Sequence, residues 1–207
     1  MLGRLVSGLL NGVNVNVGDR LLQTGPPFHI LGYLAGVVLP SVARLKVGLL
    51  PNPTDYPQMA AFLELFALNR AVSPPAFAEG LAVASAPGQM NGLELLVYGA
   101  QAMTPAQREL ILRRAPHLTI LVGYGSTETT GALAFQPLGT DGWMELFPNI
   151  EYRLLDIKTG EELTAGGQGE LYVRGPTIIG SYLQSRDPQL SASSDAFVQL
   201  SGVTYYR

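Results

Sequence analysis

The chain contains no cysteine, so disulfides, thiolate nucleophiles and thiolate metal sites are all excluded. It has two histidines, His29 and His117, too few to suggest a zinc site. Charge is scarce as well: 14% of residues are charged and the net charge is −3, with the basic residues scattered, so there is no footprint for nucleic acid. No apolar run is long. The longest, "ILGYLAGVVLP" from Ile30 to Pro40, falls well short of the roughly 20 residues a spanning helix needs. The start, "MLGRLVSGLL", carries an arginine and a short apolar core but no small-residue cleavage site. It reads as an amphipathic helix, and the protein as cytoplasmic.

What is present is apolar residue, 47% of 207, enough for a packed core and against disorder. From Asp19 to Pro137 strand-like and helix-like segments alternate. "DRLLQTG", "KVGLL", "LELLVYG" and "LTILVGYG" read as strands. "ILGYLAGVVLPSVAR" reads as an apolar helix ended or kinked at Pro40. "YPQMAAFLELFALNR" reads as a helix with Met59, Phe62, Leu63, Phe66 and Ala67 on one face. "TPAQRELILRRAP" has Thr104 as N-cap, Pro105 at the first helical position and Gln107 placed for a capping box. Strands apolar throughout and separated by helices predict an α/β fold, a mainly parallel sheet covered on both faces. After Pro137 the pattern changes: "IEYRLLD", "GELYVRG" and "AFVQLSG" are strand-like and no helix stands out. The expectation is an α/β subdomain over 1–137 and a β-rich portion over 138–207.

The segment "VGYGSTETTG", Val122 to Gly131, follows an apolar strand with glycines, hydroxyls and a carboxylate. It is not a dinucleotide fingerprint, because Glu128 stands where the third glycine belongs, and neither a P-loop nor a Gly-x-Ser-x-Gly elbow occurs in the chain. Its residue types suit one edge of a nucleotide site. Gly125 permits close backbone approach. Thr127 can donate to a phosphate oxygen. Glu128 is a hard oxygen ligand for Mg²⁺. Tyr124 offers a flat face to a base. On these residues alone, a strand-end turn in which Thr127 and Glu128 only cap and solvate is an equal alternative.

"YGSTE" resembles the Tyr-Gly-x-Thr-Glu signature of the adenylate-forming, AMP-binding superfamily, which includes acyl- and aryl-CoA ligases, luciferases and adenylation domains. Four further segments are similar to that family in the same order: "PPFHILG" from Pro26, "VYGAQAMTPAQRE" from Val97, "GELYVRGPTIIGSYL" from Gly169, and the final "YYR". Together they span nearly the whole chain. The resemblance implies that Tyr124 stacks on adenine, that Thr127 contacts the α-phosphate, and that Glu128 holds Mg²⁺ on the ATP phosphates. It further implies that Gly99, Ala100, Gln101, Gly125 and Ser126 line the nucleotide site, with Gln101 departing from the small residue usual there. His29 and Gly123 would face the carboxylate substrate. Thr127 and Glu128 are thus the implied catalytic pair.

Each assignment has a plainer counterpart. His29 can be a core histidine, and Tyr98 reads as core. Gly169 and Glu170 read as structural, while Trp143 and Phe147 read as packing at the subdomain junction. The implied chemistry is activation of a small carboxylic acid, aliphatic or aromatic, by ATP and Mg²⁺. The acyl group then passes to CoA or to a carrier's phosphopantetheine. The resemblance also implies a phosphate-gripping loop ahead of Pro26, a Thr-Gly-Asp motif after Arg207 and a small C-terminal domain. The expectation is therefore that these residues are the middle of such an enzyme and are inactive alone. An adenylation domain of a carboxylic acid reductase or synthetase, and a non-catalytic binding remnant, stay open as alternatives.

Overall fold

A computed structural model describes residues 15–137, 144–164, 167–183 and 194–207. The expected helix at "MLGRLVSGLL" and the packing role of Trp143 lie outside the described residues.

The first sheet has seven strands in the order β2-β1-β3-β4-β5-β6-β7. They are β1 (Arg20–Gln23), β2 (Lys46–Leu49), β3 (Arg70–Val72), β4 (Leu95–Tyr98), β5 (Thr119–Ser126), β6 (Gly131–Pro137) and β7 (Glu145–Leu146). The pairings among β1 to β5 are parallel, while β6 and β7 are antiparallel additions at one edge. The central strands β3 and β4 are buried along their length, as sequences apolar on both faces require. The mainly parallel α/β sheet read from the sequence is therefore the one observed. Its edge strand β7 lies beyond residue 138 yet still pairs with β6. A second sheet, fully antiparallel, orders β8 (Glu151–Leu155), β9 (Glu170–Arg174), β10 (Phe197–Leu200) and β11 (Val203–Tyr206) as β10-β11-β9-β8.

On one face of the first sheet, Leu22, Leu96 and Ile120 pack with Met59, Leu63, Leu81 and Ile111 from three helices: α3 (Tyr56–Leu65), α4 (Pro75–Ala84) and α5 (Pro105–Arg114). Thr104 caps α5 in a complete capping box with Gln107. In α3 the buried side chains are Met59, Ala60 and Leu63. Phe66 and Ala67 do not extend that face: the helix stops at Leu65, Phe66 is half exposed, and Ala67 takes φ 49°. β3 and α4 leave little signal in the sequence, since three residues show no period and α4 is built mostly of small ones.

The other face is covered by α1 (Ile30–Tyr33), a π-helical turn (Leu34–Val38) and α2 (Leu39–Ala43) in one continuous run. Pro40 does not end it, contrary to one of the two outcomes expected from the sequence. The proline ring would collide with the carbonyl four residues back, and the wider π turn sits at that carbonyl. The run ends at Arg44 with φ 56°. No helix among the described residues is long and apolar enough to cross a membrane.

Candidate active site

An elongated cavity of about 310 Å³ lies between the Ile30–Ala43 helical run and the sheet. Its walls are apolar, with Leu34 and Ala35 from the helix facing Val72, Val97 and Gly123 from the strands. One end reaches Arg70 and Leu95, where β3 and β4 begin. The other opens where β4 and β5 end, among Gly99, Ala100 and the stretch from Tyr124 to Glu128. Ligands of open α/β sheets bind at this carboxyl end, because the loops that leave the strands there are free to vary.

The Tyr124–Gly131 turn is shaped by its sequence. β5 pairs with β4 in parallel up to Val122 and with β6 in antiparallel fashion down to Ser126↔Gly131, with a bulge between Tyr124 and Gly125. Gly125 is needed because a Cβ there would lie 1.9 Å from the Gly131 carbonyl oxygen. Gly131 has φ 97°, and a Cβ on it would sit 2.2 Å from Leu34 Cδ1. The turn closes on Thr129, which is buried. Its Oγ1 accepts from the Ser126 amide at 2.8 Å and lies 2.7 Å from the Gly131 carbonyl and 3.0 Å from that of Ser126. Thr127 is thereby left exposed on the rim, and Tyr124 keeps half its surface open. A hydroxyl and an aromatic face thus stand beside the cavity mouth on a turn closed by the Thr129 hydrogen bonds.

Glu128 is held from a distance. Tyr182 donates its hydroxyl to Glu128 Oε1 at 2.9 Å, and the Ile179 amide donates to the Glu128 carbonyl at 2.8 Å. Partial burial pushes the Glu128 carboxyl upward. Hydrogen bonds from its own amide, Tyr182, Ser126 and Tyr206 outweigh that, so its pKa falls below the usual glutamate value and the group is ionised at neutral pH. The Tyr182 phenol moves the opposite way, raised by burial first and then by Glu128 and Tyr206 beside it.

His29 is exposed and lines the cavity, so it is not a core histidine. Its Nδ1 caps α1 by accepting from the Leu31 amide at 3.2 Å. Ala100 holds φ 67° at the end of β4 and brings backbone to the mouth. Gln101 is exposed next to it but does not line the cavity. Tyr98 is buried and also reaches the cavity wall. The structure therefore gathers His29, Gly99, Ala100 and Gly123 to Glu128 around one cavity and leaves Gln101 outside it.

Outside the cavity, Gly169 allows the Leu155 carbonyl to approach, since a Cβ would lie 2.4 Å from that oxygen. Glu170 accepts from the Tyr172 hydroxyl at 2.8 Å and pairs with Arg207 at 3.6 Å. Phe147 packs edge-on against Phe135, which lines the cavity.

Three contributors were not legible in the sequence. Thr129 looks like one more hydroxyl in a threonine-rich turn. Tyr182 is 54 residues from the carboxylate it bonds. Arg70 closes the far end of the cavity, bound to Asp19 at 3.0 Å and Glu94 at 2.6 Å. The only signal for Tyr182 is its place in the segment "GELYVRGPTIIGSYL".

Comparison with known proteins gives the same direction. A family model described as "AMP-binding enzyme" matches residues 3–183. A 4-coumarate–CoA ligase-like protein of Oryza sativa subsp. japonica is 26% identical over 194 residues, covering 87% of this chain and 31% of that protein. A Humulus lupulus protein described as "Probable CoA ligase CCL5" is 26% identical over 214 residues, covering 97% of this chain and 38% of that protein. The chain thus spans about a third of the length of these relatives. The Vibrio cholerae adenylation domain AlmE, solved with glycyl-adenosine-5′-phosphate, shares the fold with a TM-score of 0.81 at 21% identity, covering 100% of this chain and 40% of that one.

Proposed function

The chain belongs to the AMP-binding enzyme family, and from that premise we propose that it is the central part of an ATP-dependent enzyme that activates a carboxylic acid as its acyl-adenylate. The observation that carries this reading is the convergence of Tyr124, Thr127, Glu128 and His29 on the mouth of one apolar cavity. The cavity takes the uncharged body of the acid, either an aliphatic or an aromatic one. Its carboxylate meets ATP at the mouth, Tyr124 offers its open face to the adenine, and the Thr127 hydroxyl donates to the phosphate.

In the reaction a carboxylate oxygen bonds to the α-phosphorus, the bond from that phosphorus to the bridging oxygen breaks, and pyrophosphate leaves. Negative charge builds on the phosphate oxygens, so fixed donors and exact placement supply the catalysis. Among the described residues no three His, Asp or Glu side chains form a ready metal cage. A single ionised carboxylate next to hydroxyls nevertheless suits Mg²⁺, which takes one or two carboxylates and completes its shell with phosphate and water. Glu128 would hold that ion, and the ion would supply charge neutralisation on the phosphates. The thiol of CoA or of a phosphopantetheine carrier then bonds to the acyl carbon, the bond from that carbon to the phosphate oxygen breaks, and AMP leaves, which completes the proposed cycle. We place an α/β subdomain over 1–137 and a β-rich portion over 138–207, whose first strand β7 pairs into the first sheet, in a cytoplasmic setting.

The test is pyrophosphate release with ATP and Mg²⁺ over a panel of carboxylic acids. It compares this 207-residue chain, a form extended at both ends to the relatives' length, and the extended Glu128→Ala variant. We expect release from the extended form, a fall of at least about 100-fold in Glu128→Ala, as for loss of one strong transition-state contact, and little release from the short chain. A folded but silent extended form would overturn the proposal in favour of a non-catalytic binding protein.

A further inference from the structure

Glu128 sits on a turn at the cavity mouth, where a long side chain on its own would sample many rotamers. The segment from Gly175 to Leu183 removes that freedom. Its Ile179 amide holds the Glu128 carbonyl at 2.8 Å, and its Thr177 carbonyl accepts from the Thr130 hydroxyl. With the turn tied to this segment at the Glu128 carbonyl and the Thr130 hydroxyl, the Tyr182 hydroxyl meets Glu128 Oε1 at 2.9 Å. The Tyr182 ring is itself fixed. It packs edge-on against Phe197 at 5.4 Å, and Phe197 packs on Tyr206 at 5.8 Å, its direct partner in the β10–β11 hairpin. The chain of contact runs from the second sheet, through three aromatic rings, to one carboxylate oxygen on the turn that leaves the first.

We propose that Tyr182, backed by Tyr206, is a positioning residue that sets the orientation of the Glu128 carboxylate for a divalent cation. It acts through Glu128 and touches neither substrate nor metal. The hydroxyl donates to one carboxylate oxygen, which fixes the rotation of the whole group and so the direction in which its remaining lone pairs face. The logic is that of outer partners which orient a metal ligand. This inference rests on the reading of Glu128 as the metal-holding residue.

The test uses the 207-residue chain itself, with Mn²⁺ as a paramagnetic probe that broadens amide NMR signals near its site. Wild type, Tyr182→Phe and Glu128→Gln are titrated, and their thermal unfolding is compared. Tyr182→Phe keeps the ring on Phe197 and removes only the donor. We expect Mn²⁺ to broaden the Ser126–Thr130 amides in wild type, Glu128→Gln to abolish the effect, and Tyr182→Phe to need several-fold more Mn²⁺ with little change in melting temperature. If Tyr182→Phe titrates as wild type while Glu128→Gln does not, the positioning role falls and the metal role of Glu128 stands. If Glu128→Gln titrates as wild type, or wild type is not broadened there, the metal role falls and the positioning role with it. Should Tyr182→Phe fail to fold, Tyr206→Phe carries the test. It keeps the ring on Phe197 and removes the hydroxyl that hydrogen-bonds Glu128 and Tyr182, the same weakening is expected, and an unchanged titration overturns the proposal.

Discussion

Replacing Asp19 with asparagine should destabilise the chain by about 2–3 kcal/mol at neutral pH, below what breaking a buried ion pair outright costs. Asp19 is buried and accepts three hydrogen bonds: from the Asn16 amide at 2.8 Å, the Asn69 side chain at 2.9 Å and Arg70 Nε at 3.0 Å. An asparagine has one carbonyl oxygen, so it can serve one side of this arrangement while its NH₂ faces a donor on the other. The Arg70 guanidinium, 11% exposed, loses its buried counter-charge. It keeps Glu94 at 2.6 Å, whose side chain is 58% exposed. That surviving, well-solvated partner is why the estimate lies below the roughly 3–5 kcal/mol seen when a buried charge is left wholly alone. At about 2–4 °C per kcal/mol for a chain of this size, the melting temperature should fall by roughly 4–12 °C.

The assay is urea unfolding followed by circular dichroism from pH 7 down to pH 3. Burial raises the Asp19 pKa, but the Asn16 amide, Asn69 and Arg70 lower it more, and the net shift is downward. A lowered folded-state pKa adds stability that is fully present above the unfolded value of about 3.9 and is lost as pH falls through the folded value. The gap between wild type and Asp19→Asn should therefore hold at neutral pH and narrow below about pH 4. A loss under about 0.5 kcal/mol at pH 7, the range of an ordinary surface change, or a gap that does not narrow with acid, would refute the reasoning.

Two further substitutions probe the cavity mouth. Gly125→Ala places a Cβ 1.9 Å from the Gly131 carbonyl oxygen and must prise open the β5–β6 hairpin. The expected loss is about 1–3 kcal/mol, read as a lower melting temperature; an unchanged one would deny the close approach. At Ala100, φ 67° is a conformation that glycine adopts without strain. Ala100→Gly should leave stability unchanged or raise it by up to about 1 kcal/mol, whereas Ala100→Val should lower it by more than about 1 kcal/mol, and the reverse order in urea midpoints would contradict the strain.

Much of this was present in the chain's local text. The alternation of apolar strands with helices predicts the parallel sheet, because a strand covered on both faces has no polar face to show. Thr104 and Gln107 mark the start of α5 by themselves, since a capping box is closed within four residues. "YGSTE" and "PPFHILG" single out residues that the structure brings to one cavity mouth. Tertiary structure alone decided the rest. Whether Pro40 ends a helix depended on a π turn placed against the sheet. The partner of Arg70 is settled by parallel pairing that sets β3 beside β1, 51 residues away from Asp19. Glu128 is a carboxylate in the sequence, but its fixed orientation comes from Tyr182 and the second sheet. Spacing and period report contacts within a strand or a helical turn; a bond across 54 residues exists only once both sheets have formed.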